Sequence, residues 1–188
     1  MLDYYQTYIL KGEIDMNSKI AKYVLAAVVA AMVFVGTLVV QISIPATGGY
    51  INIGDAIIII GAWLIGGVYG GVAAAVGAGL VDIMSYPVYA PGTIIIKFLM
   101  AIGAYLVIRA FKNTRFNYVG IVLGAIVSEV IMVLGYLFYE AVILGLGKAA
   151  IVGIGGNLIQ GVASIVIAIV AITIMQKTKV TRLLEKNR

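Results

Sequence analysis

The chain has 188 residues, 63% of them hydrophobic and only 11% charged, with a mean hydropathy of +1.11. Those proportions exclude an ordinary water-soluble domain and indicate an integral membrane protein. The absence of Cys and His excludes disulfides, thiol catalysis and the usual zinc or haem ligands, and the net charge of +5 sits in segments flanking apolar runs, not in a nucleic-acid-binding surface.

In chain order, residues 1–18 form an N-terminal extension. Its first part, Met1 to Asp15, mixes aromatic and polar residues, is too short and polar to span, and lacks the basic start and small-residue cleavage site of a signal peptide. It is expected to lie in the membrane interface. Six apolar segments follow, at about Ala21 to Ile44, Gly54 to Leu64, Val68 to Tyr86, Thr93 to Phe111, Tyr118 to Leu144 and Ala149 to Met175. Most reach the ~20 residues that a bilayer core requires. The second is short, so it should be tilted, shielded by neighbours or completed by the loop Pro45 to Ile53. The predicted fold is an all-α integral membrane protein of six transmembrane helices, one domain over residues 19–177, followed by a basic tail over 178–188.

Orientation follows from Lys and Arg, which accumulate in cytoplasmic loops. Lys11, Lys19 and Lys22 precede the first span. Arg109, Lys112 and Arg115 separate the fourth from the fifth, and Lys177, Lys179, Arg182, Lys186 and Arg188 follow the sixth. All fall on one side of a six-span threading, with Lys97 and Lys148 toward the other. Both termini are therefore expected to be cytoplasmic. The same threading collects polar residues in the outer half: Asn52 and Asp55, then Asp82 and Tyr86, Tyr89 and Lys97, then Glu129, Tyr136, Tyr139 and Glu140, then Asn157 and Gln160.

Charge inside hydrocarbon is costly, roughly 2.5 to 3.5 kcal/mol for an Asp or Lys at a helix centre on insertion scales, so these groups need partners. Asp82 and Lys97 can neutralise one another, line a solute pocket, or both. Glu129, about eleven residues into its span, should face the interior or water, as a pocket wall or as a hydrogen-bonded structural group. Asp55 and Glu140 lie near span ends, where solvation at the interface competes with a site role. Tyr86, Tyr89, Tyr136 and Tyr139 suit an aromatic belt or a platform for a flat heterocycle. Asn157 and Gln160, three apart, share a helical face and can bond between helices or to a solute. The small residues of the first span, Ala27 and Ala31 among them, allow close packing inside the bundle or against another membrane protein. Gly145-Leu146-Gly147-Lys148-Ala149 lacks the Ser/Thr and spacing of a phosphate-binding loop, and no G-x-S-x-G or H-E-x-x-H motif occurs.

From about Lys19 to Lys177 the sequence resembles the substrate-binding S components of energy-coupling factor (ECF) vitamin transporters. The carriers are Ala27-x-x-x-Ala31, the stretch Gly49-Tyr50-Ile51-Asn52-Ile53-Gly54-Asp55, the Gly66 to Gly71 turn, and Asp82-Ile-Met-Ser-Tyr-Pro-Val-Tyr-Ala-Pro-Gly-Thr with Lys97 beyond. The second and fourth together point to the riboflavin-type branch. The resemblance implies a six-helix membrane fold with cytoplasmic termini and a pocket near the outer surface. That pocket is capped by the loop after the first span and lined by spans four to six with the loops preceding them. It also implies a membrane coupling subunit bound at Ala27 and Ala31, two ATPase subunits, and no catalysis, metal or cofactor of the chain's own. Branch members are assigned to riboflavin, pyridoxine and hydroxymethylpyrimidine. A pocket of Asp82, Lys97, Glu129 and Asn157 favours a small protonatable pyridine or pyrimidine, with riboflavin as the alternative. An autonomous proton-coupled carrier using Glu129 or Asp82 is the competing class.

Overall fold

A computed structural model describes residues 19–178; the expected extension 1–18 and nearly all of the basic tail lie outside the described residues. Six helices are present among the described residues: α1 (Lys19–Val39), α2 (Gly54–Ile65), α3 (Gly67–Ser85), α4 (Ala90–Phe111), α5 (Asn117–Phe138) and α6 (Lys148–Lys177). All but α2 are long and apolar enough to cross a membrane. At 1.5 Å per residue α1 is about 32 Å long, close to the hydrocarbon thickness of about 30 Å.

The 12 residues of α2 reach only about 18 Å, too short to cross. Its sequence is apolar on every side, as befits a helix enclosed by others, and α2 packs against each of the other five. Of the three expectations for this segment, shielding by neighbours is what is observed. The connection to α3 is a single residue, Gly66, whose φ of 92° lies where glycine is favoured.

Tight packing of α1 on α3 depends on Gly77. A Cβ there would stand 2.5 Å from the Ala30 carbonyl oxygen, so the two backbones touch. Val29 and Val33 complete the inward face of α1, whereas Ala27 and Ala31 are exposed. The Ala27/Ala31 stripe thus takes no part in packing the bundle.

The first apolar segment does not run as helix to Ile44. After Val39 the chain forms an antiparallel hairpin, β1 (Ile42–Ile44) and β2 (Gly49–Ile51), in the register Ile42–Ile51, Ser43–Tyr50 and Ile44–Gly49. Pro45 cannot continue a helix, and the Thr47 and Gly48 amides both donate to the Ile44 carbonyl, with Gly48 at φ 71°. The fourth helix begins at Ala90, three residues before the expected Thr93, because Pro91 occupies its first turn, where the missing N–H is no loss. Beyond Phe138 the fifth helix widens into a π-helical turn, Tyr139–Ile143. The hairpin, the N-termini of α2, α4 and α6, the C-terminus of α3 and the π-turn all gather at one end of the bundle.

Candidate functional site

At this hairpin end lies a hollow of about 370 Å³, counting its open mouth, lined by Ile44, Gly49, Tyr50, Asn52, Asp82, Tyr89, Tyr136, Glu140, Asn157 and Gln160. Its walls come from the hairpin, α3, the start of α4, α5 with its π-turn, and α6. Two linked polar networks build it.

The first holds Asp82 at the C-terminal end of α3. Tyr50, projecting from β2, donates its hydroxyl to Asp82 Oδ1 at 2.5 Å, and Thr93 on α4 donates to Oδ2. A carboxylate only accepts, so the Thr93 proton is committed to Asp82 and the Tyr136 hydroxyl, 2.9 Å away, donates to Thr93. Burial, reinforced by the neighbouring Asp82 charge, pushes the Tyr50 phenol upward, which keeps it a donor. Its ring stacks on Tyr86 with centroids 4.7 Å apart. Tyr86 therefore supports the wall from behind Tyr50 and is absent from the lining itself.

The second network lies under the first. Lys97 on α4 pairs with Asp55 Oδ1 at 2.5 Å, in the first turn of α2, and the two residues are 2% and 0% exposed. Asp55 Oδ2 accepts from the Gln160 amide at 2.5 Å, Gln160 Oε1 accepts from the Asn52 backbone N–H at 2.7 Å, and Asn52 Oδ1 accepts from the Gly54 N–H at 2.8 Å. A carboxylate in the first turn of a helix also meets the positive end of its dipole. Lys97 further sits 5.3 Å from the centroid of the Tyr136 ring.

This arrangement corrects the expected Asp82–Lys97 pair. Lys97 is bonded to Asp55, 42 residues away in sequence, while Asp82 is held by hydroxyls. Of the ten candidate solute contacts, Asn52, Asp82, Tyr89, Tyr136, Asn157 and Gln160 line the hollow. Asp55, Lys97, Tyr86 and Glu129 do not. Glu129 lies deeper on α5, its Oε2 3.3 Å from where a Cβ on Gly161 of α6 would stand, and neither of its oxygens has a hydrogen-bond partner among the described residues.

Sequence reasoning passed over Tyr50, Thr93 and Thr47. The alternation Ile-Ser-Ile and Gly-Tyr-Ile around Pro45-Ala46-Thr47-Gly48 is a hairpin signal that would have brought Tyr50 and Thr47 to the site. Tyr89, at the start of α4, ties the hairpin down by donating to the Thr47 carbonyl at 2.8 Å, and its hydroxyl also lies 3.2 Å from Glu140 Oε1. Burial pushes its phenol up to about 12, so it too remains protonated at neutral pH.

The described residues thus form six helices, a short one enclosed by five longer ones, as the sequence predicts in number, with a hairpin beside a polar hollow at one end. The sequence profile of the family "ECF-type riboflavin transporter, S component" matches residues 17–177. The chain belongs to this family. A solved structure described as "Structure and mechanism of the S component of a bacterial ECF transporter" superimposes with a TM-score of 0.63 at 18% identity, covering 85% of this chain and 97% of that one, a likeness in fold. A protein of Pyrococcus woesei, described as "Uncharacterized protein in gap 3'region", is 38% identical over 117 residues, 62% of this chain and 76% of that protein. The chain is thus a multi-pass S component, the substrate-binding part of a transporter, and its family is one of transporters.

Proposed function

We propose that this S component captures riboflavin, or a flat heterocycle with a similar polyhydroxylated chain, in the hollow at the hairpin end. The family description supports riboflavin directly. The lining supports it as well. The case for a protonatable pyridine or pyrimidine used Asp82, Lys97, Glu129 and Asn157 together, yet Lys97 is neutralised by Asp55 and Glu129 is outside the hollow. What remains on the polar lining is three phenols and three amides, Tyr50, Tyr89 and Tyr136 with Asn52, Asn157 and Gln160, beside the carboxylates of Asp82 and Glu140. Aromatic faces take up a tricyclic ring, and amides satisfy hydroxyls and ring heteroatoms at modest cost.

The observation that carries this reading is the coincidence of an S-component fold with a polar hollow, roofed by the hairpin, in an otherwise apolar bundle. In this reading the hairpin end faces outside, both termini are cytoplasmic, and the exposed Ala27/Ala31 stripe of α1 receives a membrane coupling subunit joined to two ATPase subunits. Mass spectrometry of whatever co-purifies with the protein tests the substrate: a flavin supports the proposal, and a pyridine or pyrimidine vitamin in its place overturns it.

A further inference from the structure

Every charged group on the lining of the hollow is a carboxylate: Asp82 and Glu140, with no Lys or Arg among the lining residues. The two are in different states. Asp82 has two hydroxyl donors of its own. Glu140, in the π-turn and only 3% exposed, has the Tyr89 and Thr47 hydroxyls beside it but is left with one oxygen unpartnered. The Tyr89 hydroxyl has one proton and two acceptors, the Thr47 carbonyl at 2.8 Å and Glu140 Oε1 at 3.2 Å, and the nearer takes it. Glu140 Oε2 has no hydrogen-bond partner among the described residues. Thr47 lies alongside; its hydroxyl accepts the Gly49 N–H at 3.2 Å and keeps its own proton to donate to the Glu140 carboxylate. Gly153 of α6 packs close to this oxygen, a Cβ there standing 3.0 Å from Oε2 and 2.8 Å from Thr47 Cγ2. Among the described residues the salt bridge is Lys97–Asp55, and no cation pairs with Glu140.

A buried carboxylate with one oxygen left unpartnered is unfavourable, and a ligand that supplies a donor completes it. π-helical turns likewise concentrate at functional positions. We propose that Glu140 is a specificity-determining residue that accepts a hydrogen bond from the solute. With Asp82 it makes the hollow a charge filter, admitting neutral or cationic solutes rich in donors and rejecting their phosphate esters. The inference deepens the riboflavin reading and rests on it only for the choice of probe. A polyol chain supplies donors to Glu140, whereas a phosphate would bring negative charge into a site that already holds two carboxylates and no free cation.

The test uses the full chain in lipid nanodiscs, wild type and Glu140→Gln. Gln keeps the shape and removes the charge. Without ligand, the thermal midpoint of Glu140→Gln is expected to rise by several degrees, since an unsupported carboxylate has gone; an unchanged or lower midpoint overturns the proposal, because Glu140 would then be a satisfied structural latch. In titrations, wild type is expected to favour riboflavin over riboflavin 5′-phosphate by about a hundredfold or more, and Glu140→Gln to narrow that ratio by about tenfold. Equal ratios in the two proteins overturn the filter. If neither flavin binds wild type while the ligand-free midpoint still rises, the riboflavin reading fails and the reserved carboxylate stands.

Discussion

At the scale of single residues, the account turns on which charge meets which. Lys97 is buried with Asp55, and removing one partner of such a pair leaves the other uncompensated, at a cost of about 3 to 5 kcal/mol. Lys97→Ala is therefore expected to lower the thermal midpoint sharply, while the neutral double variant Lys97→Gln with Asp55→Asn recovers much of the loss; a single variant as stable as wild type would refute the pairing. Tyr50→Phe keeps the stack on Tyr86 but removes one donor from Asp82, and a titration should show solute affinity weakened by about tenfold, or 1.4 kcal/mol. The presence of charges needing partners was legible in the sequence, because Asp82, Lys97 and Glu129 interrupt or border apolar runs. The pairing was not. Asp82 lies nearer Lys97 along the chain, but α2 enters the centre of the bundle and carries Asp55 to Lys97, a tertiary fact that no local pattern records.

At the scale of elements, helices were legible because runs of apolar residues between Pro, Gly and charge are long. The hairpin was not, since two three-residue strands are too short to be told from the end of a hydrophobic span, and the π-turn leaves no periodic trace at all. The small residues of α1 illustrate the same limit. Spacing alone allowed them to pack inward or outward; the structure puts Val29 and Val33 inside and leaves Ala27 and Ala31 exposed. Ala27→Leu or Ala31→Leu should accordingly abolish co-purification with the coupling subunit while solute affinity stays at the wild-type level. The reverse pattern would exclude α1 as the partner face. In contrast, Gly77→Leu would drive a side chain into the α1 backbone and should reduce folded yield in detergent.

For the whole molecule, five spanning helices wrap around one short enclosed helix, and the hollow lies at the end where the short helix begins and polar side chains take the place of hydrocarbon. On the proposed reading the chain binds solute and partner subunits supply the energy, so vesicles containing this chain alone should not accumulate solute in response to a proton gradient, and vesicles that also contain the coupling and ATPase subunits should do so with ATP. Accumulation by the lone chain would place it among autonomous carriers. The most direct measurement of the central claim is a flavin-fluorescence titration of Asn157→Leu beside wild type. That substitution fills the hollow without touching either buried network. The account predicts that wild type quenches riboflavin at one-to-one stoichiometry, and that Asn157→Leu, with its thermal midpoint preserved, binds about a hundredfold more weakly, a loss of roughly 2.7 kcal/mol; a variant that binds as tightly as wild type would contradict it.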